Sequence, residues 1–228
     1  MGSKEHDYPE TARRRVRDYG NQAGKPSPIP LEECPWCGEK FTTASFRLTA
    51  NGKVNMDYPT DLQIGCVNRD CAFSQGRALP IVAVDEPIYR RLPCFIIATV
   101  DKFAAMPWTG QTGALFGRVE RYDNAGFYGP CDPGRGAPLP VGRLQPPDLI
   151  IQDELHLISG PLGTMVGLYE TALEALSCVD GMRPKIVAST ATVRKADAQI
   201  TALFNRTGVH IFPPPGPNRR DSFFSRRP

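Results

Sequence analysis

The sequence predicts an α/β fold built on parallel strands, with a small cysteine-bearing unit ahead of it. Three observations carry this. Two short apolar runs, Leu149-Ile150-Ile151 and Lys185-Ile186-Val187-Ala188, stand on either side of a segment with helical spacing. A further helical pattern follows the second run, and strand, helix, strand, helix is the order from which parallel sheets are made. Four cysteines, Cys34, Cys37, Cys66 and Cys71, are grouped in a stretch with little sustained periodicity.

The elements follow in chain order. Residues 1–30 mix charges with Pro and Gly; Arg13-Arg14-Arg15 suits a short helix or a solvated arm, and a loosely ordered segment is expected. Residues 31–80 form the cysteine-bearing subdomain, a unit too small to build its own core. Pro80–Val84 and Phe95–Val100 are short apolar runs with β-branched residues and read as buried strands of a second domain, 81–212. Within it, residues 104–147 hold 15 Gly or Pro, and so long a loop in a compact domain is as a rule functional or mobile. After Leu149-Ile150-Ile151, the residues Ser159-Gly160-Pro161 signal a helix start. Leu162, Met165, Val166, Tyr169, Ala172, Leu173 and Leu176 continue at helical spacing, and Gly181 and Pro184 close the helix. Ala196, Ile200, Leu203 and Phe204 mark one face of another helix. Pro213-Pro214-Pro215 ends regular structure and leaves a Pro- and Arg-rich tail, 213–228.

Composition narrows the class. The 228 residues include 27 Lys or Arg against 24 Asp or Glu, a net charge of +3, with 41% hydrophobic and 22% charged residues. That is the make-up of an ordinary globular protein. Residues 1–25 carry +2 and residues 213–228 carry +3, which leaves −2 on the middle, so net charge is no argument for nucleic acid. No run approaches the roughly 20 apolar residues of a membrane span, and the N-terminus lacks the apolar stretch of a signal peptide. A cytoplasmic protein without a membrane partner is expected.

The cysteines form C-x2-C and C-x4-C pairs, Cys34-Pro35-Trp36-Cys37-Gly38 and Cys66 with Cys71. A tight turn points two thiolates at one metal, Gly38 relieves the backbone after the second, and two such pairs complete a tetrahedral zinc shell. Four thiolates with no nearby His or carboxylate imply a closed structural site. Two disulfides are the main alternative, which a cytoplasmic setting disfavours. A redox Cys34–Cys37 pair is another, though no apolar strand leads directly into it. Cys94 and Cys178 read as core residues, and Cys131 sits in a Gly/Pro turn.

Leu149-Ile150-Ile151-Gln152-Asp153-Glu154 is an apolar strand ending in two acids, and open α/β sheets bind ligands at the carboxyl ends of their strands. An acidic turn after a strand is the bland alternative, and a lone His156 adds little to the choice. What adds more is the following strand, which ends in Ser189-Thr190-Ala191-Thr192. The order and setting of Asp153-Glu154-Leu155-His156 and Ser189-Thr190-Ala191-Thr192 resemble motifs II and III in the first RecA-like lobe of superfamily 2 helicases of the DExH type. That resemblance implies a partial RecA-like, P-loop-type parallel sheet with an inserted zinc-ribbon-like subdomain. It also implies that Asp153 holds Mg²⁺ through water, that Glu154 orients and deprotonates the attacking water, and that His156 couples to motif III. Ser189, Thr190 and Thr192 would relay the nucleotide state to the nucleic-acid surface.

Phe95-Ile96-Ile97-Ala98-Thr99-Val100-Asp101-Lys102-Phe103 looks like motif Ib of the same lobe, and makes Thr99, Asp101 and Lys102 candidates for holding a phosphate of the tracked strand. Helix capping by Thr99 or Asp101 accounts for this stretch equally well. The phrases CPWCG, LPCFIIATVDKFA, YDNAGFYGPC, PDLIIQDELHLISGPLG, KIVASTATVRKA and FPPPGPNRRDSFF resemble the helicase subunit of DISARM anti-phage systems. The resemblance implies DNA as partner, other subunits of a defence complex, and ATP with Mg²⁺ in the complete protein.

The departures matter. A P-loop needs G-x4-G-K-[ST], and Gly20-Asn21-Gln22-Ala23-Gly24-Lys25-Pro26 is one residue short, with Pro where the hydroxyl belongs. The chain is therefore expected to be a piece of a larger motor, starting after motif I, ending with the first lobe, and inactive on ATP alone. A non-enzymatic zinc-stabilised module that binds nucleic acid or protein is the second reading, supported by the arginines at both ends and by Trp36 for stacking. An ATP-binding-cassette ATPase would show Ser-Gly-Gly-Gln upstream of the acids, and the sequence has none.

Overall fold

The computed structural model describes residues 8–21, 25–50, 53–55, 57–99, 102, 106–141, 143–154, 161–189, 200–201, 203–206, 208–210 and 212. The chain divides into two compact units, Met1–Gln145 and Pro146–Pro228.

The first unit opens with helix α1 (Tyr8–Asn21). Ala12, Val16 and Tyr19 recur at helical spacing and pack on the neighbouring core. The Tyr19 hydroxyl donates to the Phe41 carbonyl at 2.6 Å, and its ring meets Phe46 edge-on with centroids 5.6 Å apart. Arg14, Arg15 and Arg17 stay exposed. The loosely ordered segment expected at 1–30 is corrected at residues 8–21: an apolar stripe hidden among arginines gives the helix a face to bury.

Three antiparallel strands follow, β1 (Phe46–Ala50), β2 (Lys53–Val54) and β3 (Asp61–Ile64), in the order β2-β1-β3. The pairings Phe46↔Ile64 and Leu48↔Leu62 put four apolar side chains on one face. Those four share one core with Ile29, Phe41, Leu79, Val84 and the cysteines Cys34, Cys66 and Cys71. The core around the cysteine unit is completed from both flanks, by Ala12, Val16 and Tyr19 of α1 and by Ile81 and Val84.

Pro80–Val84 is not a strand. Pro80 has no N–H, the Ile81 amide turns back onto the Leu79 carbonyl at 2.8 Å, and Val84 is the cap of helix α2 (Asp85–Arg91). Phe95–Thr99 is likewise outside any strand, with Phe95 and Ile97 exposed rather than buried, and Val100 lies outside the described residues. Cys94 is exposed, not a core residue.

The Gly/Pro-rich stretch is folded. Met106–Trp108 and Gly110–Phe116 are 3-10 turns, followed by β4 (Arg121–Asp123), β5 (Gly126–Tyr128) and β6 (Ala137–Pro138) in the antiparallel order β5-β4-β6. Phe116, Val119 and Tyr128 are buried beneath it. Gly117, at φ 74°, ends the second 3-10 turn, and a Cβ there would stand 2.1 Å from the Leu144 carbonyl oxygen. Only glycine fits so close a backbone approach. The buried Arg90 of α2 clips the sheet from outside, donating to both oxygens of Asp132 at 2.6 and 2.9 Å while lying 4.8 Å over the Tyr128 ring. The expected long loop is thus a small substructure whose glycines serve turns and close contacts.

The second unit contains β7 (Leu149–Gln152), helix α3 (Pro161–Ser177) and β8 (Lys185–Ala188). The two strands pair in parallel, Leu149↔Lys185 through Gln152↔Ala188, with α3 as the crossover a parallel pair requires. Glu174 of α3 takes ion pairs from Arg183 at 3.2 Å and Arg206 at 2.9 Å. Ile200, Thr201, Leu203 and Phe204 are helical, with Phe204 buried. Among the described residues the parallel sheet has two strands, a single strand–helix–strand unit of the mixed α/β fold expected from the sequence. None of the described helices is long and apolar enough to cross a membrane.

Candidate functional site

Two sites are built on this frame, one in each unit. In the first, two turns face each other across the end of the β1–β3 sheet. The Gly38 amide donates to the Cys34 carbonyl and the Cys34 amide to the Glu39 carbonyl, each at 2.8 Å, which curls Cys34–Gly38 into a knuckle. Gly38 sits at φ 75°, the left-handed conformation such a knuckle needs. The second turn closes through Cys66 N–H to the Phe73 carbonyl at 2.8 Å and Cys71 N–H to the Asn68 carbonyl at 3.0 Å. The Phe73 amide also points at Cys71 Sγ, 3.5 Å away. Trp36 on one turn meets Phe73 on the other edge-on at 5.5 Å.

The four thiol sulfurs all lie within 4.8 Å of one another. Cys37 and Cys66 are 3.5 Å apart and Cys34 and Cys71 4.0 Å. A tetrahedron with metal–sulfur bonds of about 2.3 Å requires sulfurs about 3.8 Å apart, so the donor set fits a four-thiolate metal such as zinc. None of the four is disulfide-bonded. The Glu39 amide draws the Cys37 thiol below its ordinary value, whereas burial pushes Cys66 up to about 12.

In the second unit, Asp153 and Glu154 leave the carboxyl end of β7 and Ser189 leaves that of β8. The Ser189 amide donates to the Gln152 carbonyl at 2.9 Å, one more rung of the parallel ladder. The Ser189 hydroxyl donates to Asp153 Oδ1, which also accepts the Glu154 amide at 3.0 Å. These two donors, Ser189 first, hold the Asp153 carboxyl below its ordinary range. Glu154 adopts φ 56°, an uncommon left-handed conformation for a side chain of this size. Asp153, Glu154 and Ser189 are all exposed.

The other sequence-selected residues fare differently. Thr99 and Lys102 share a turn, the Lys102 amide donating to the Thr99 carbonyl at 3.0 Å, and Lys102 Nζ lies 3.4 Å from Asp85. Asp101, His156, Thr190 and Thr192 lie outside the described residues, as do the tail 213–228 and Ser159-Gly160 ahead of α3. The Arg90–Asp132 clip was not legible beforehand, since its partners are 42 residues apart with no local pattern to link them.

A cluster of four thiols beside small sheets, and a parallel strand pair with acids at its end, define a mixed α/β protein with a cysteine unit that could hold a metal such as zinc. No family model matches the chain. It is 42% identical over 206 residues to DISARM protein DrmA of Bacillus paralicheniformis, a stretch that is 85% of this chain and 18% of that protein. The chain thus spans about a fifth of the length of the curated relative it matches, and the similarity relates it to DISARM defence proteins.

Proposed function

We propose that the chain is part of the first lobe of an ATP-dependent nucleic-acid motor acting in anti-phage defence, with DNA as the partner. The observation that carries this reading is the hydrogen bond from Ser189 to Asp153 at the paired carboxyl ends of β7 and β8. It joins the acidic strand end to the Ser-Thr strand end, the two segments that a nucleotide-driven motor must couple. The relationship to a DISARM protein supports the defence setting.

In this reading Asp153, whose Oδ1 is engaged by Ser189 and the Glu154 amide, would be the residue that holds Mg²⁺ through water. Mg²⁺ with the nucleotide supplies charge neutralisation on the phosphoryl oxygens. Glu154 orients the attacking water and takes its proton. His156 and Thr190 with Thr192 complete the coupling between the acids and the nucleic-acid surface, and Thr99, Asp101 and Lys102 hold a backbone phosphate. The cysteine unit carries structural zinc and behaves as a zinc-ribbon-like insertion.

The test uses the full-length protein in which this segment occurs. Glu154→Gln should abolish DNA-stimulated ATP hydrolysis while leaving nucleotide binding intact. The 228-residue chain alone should not turn over ATP, because none of its residues form G-x4-G-K-[ST]. Robust hydrolysis by the isolated chain that Glu154→Gln removes would refute the account of its phosphate contacts.

A second reading, a zinc-stabilised binding module without catalysis, draws on the separate core of the cysteine unit and the exposed Trp36. Titration of single-stranded DNA at two salt concentrations, with and without residues 213–228, separates the two. Binding lost wholly with the tail would place the contact away from the motor surface.

A further inference from the structure

The four thiols of the metal-binding cluster are not equivalent. Cys34, Cys66 and Cys71 are buried, at 1%, 8% and 7% exposure, whereas Cys37 is exposed. Cys37 occupies the outer corner of the first knuckle, followed by Gly38 in open space. Its sulfur is 3.5 Å from that of Cys66, closer than the 4.0 Å between Cys34 and Cys71. The Asn68 side-chain amide touches it at only 4.0 Å. Oxidation of cysteine is selected by exposure and by the nearness of a resolving thiol.

We propose that Cys37 is the site at which hydroperoxide oxidants modify this protein, with Cys66 as the resolving thiol. In the first step the Cys37 thiolate attacks hydrogen peroxide. A sulfur–oxygen bond forms, the O–O bond breaks, and the departing hydroxide takes a proton to become water. The Cys66 thiolate then attacks the Cys37 sulfenic acid; the S–S bond forms, the S–O bond breaks, and the oxygen leaves as a second water. Two thiols lose two electrons and one peroxide is reduced to two waters. Closing from 3.5 Å to the roughly 2.05 Å of a disulfide falls to the exposed corner, since Cys66 is tied by its amide to the Phe73 carbonyl. Cys34 and Cys71 remain as two thiols, too few for a closed tetrahedral site. The modification therefore releases the metal. The inference rests on the four-thiol centre and is independent of the motor reading.

The test takes the zinc-loaded, wild-type 228-residue protein through a stepwise addition of hydrogen peroxide. A chromogenic chelator reads zinc release, and non-reducing tryptic mapping reads the bonds, with fragmentation of the peptide Asp18–Lys40 to tell Cys34 from Cys37. Arg69 lies between Cys66 and Cys71, so trypsin puts them on different peptides. The expected result is one equivalent of zinc released in step with a Cys37–Cys66 bond, both reversed by dithiothreitol. Limiting maleimide, added before peroxide, should label Cys37 ahead of the other three cluster thiols. A first bond between any other pair of the four overturns the proposal. So does even labelling of the four, or zinc that stays bound after Cys37 is oxidised.

Discussion

Ser189 donates its hydroxyl to the Asp153 oxygen that also accepts the Glu154 amide, although the two residues are 36 positions apart. Register explains it: Gln152 pairs with Ala188, so Asp153 and Ser189 are the next residues out on adjacent parallel strands. Because the bond favours the charged carboxylate, Ser189→Ala should move the Asp153 titration midpoint upward, toward the ordinary carboxylate value. A carboxyl held low in the fold adds stability above its unfolded pKa and loses it as pH falls through the folded value. The variant should therefore lose less on acidification than the parent. Carboxyl-detected NMR checks this, with Ser189→Thr retaining the low midpoint. An unchanged midpoint in Ser189→Ala would show that the Glu154 amide alone sets it.

How far such relationships can be read in advance depends on the range of the interaction. The runs of β7 and β8 are legible because strands of a parallel sheet are apolar almost throughout and their crossover helix has its own periodicity. The cysteine pairs are legible because both halves of each pair lie within one turn. The same apolar signal misleads at Phe95–Thr99, where Phe95 and Ile97 lie exposed with no ladder among the described residues. It misleads again at Pro80–Val84, where the core contacts of Leu79 and Val84 are made by turns. The substructure at 106–147 was hidden because its order comes from Gly117, Arg90 and Asp132, whose roles depend on what approaches them in space.

The Arg90–Asp132 clip should be among the costliest features of the first unit to break. Arg90 is buried, its guanidinium meets both Asp132 oxygens and Glu86, and it covers the Tyr128 ring. Removing one partner of such a pair leaves an unpaired charge and costs about 3–5 kcal/mol. Arg90→Met should show a loss of that order in denaturant melts, and Arg90→Met with Asp132→Leu should recover much of it. The Arg90 guanidinium holds the Asp132 carboxyl below its usual range. The clip's contribution is thus complete above the unfolded carboxylate pKa and is lost as pH falls through the lower folded value. Equal destabilisation by the double and single variants would show that packing on Tyr128, rather than charge, dominates.

Glu170 of α3 gives the opposite pH dependence. Burial, with Glu174 one turn on, pushes its carboxyl up to about 7. The folded state then binds a proton that the unfolded state has released, so stability falls as pH rises from the unfolded carboxylate pKa of about 4.3 toward 7 and is flat beyond. Glu170→Gln removes the titration while keeping the shape. It should flatten that slope and make the protein more stable than the parent above neutrality, as read from urea midpoints across pH 5 to 8. A parent whose midpoint does not decline over that interval would place Glu170 in water.

Metal removal should undo the cysteine unit as a whole. Its core combines Cys34, Cys66 and Cys71 with Leu48, Leu62 and Ile64, and α1 is anchored on that core through Val16 and Tyr19. Structural zinc supplies about 10–16 kcal/mol in small finger peptides, more than a sheet of this size provides by itself. A strong chelator should therefore abolish exchange protection at Leu48 and Ile64 and reduce the helical signal of α1 in the same transition. Cys71→Ser should reproduce the loss without chelator, whereas Cys178→Ser, outside the cluster, should leave both signals intact. Retained protection at Leu48 and Ile64 after the metal is stripped would mean that apolar packing alone holds the sheet, with the four thiols an addition to a fold already formed.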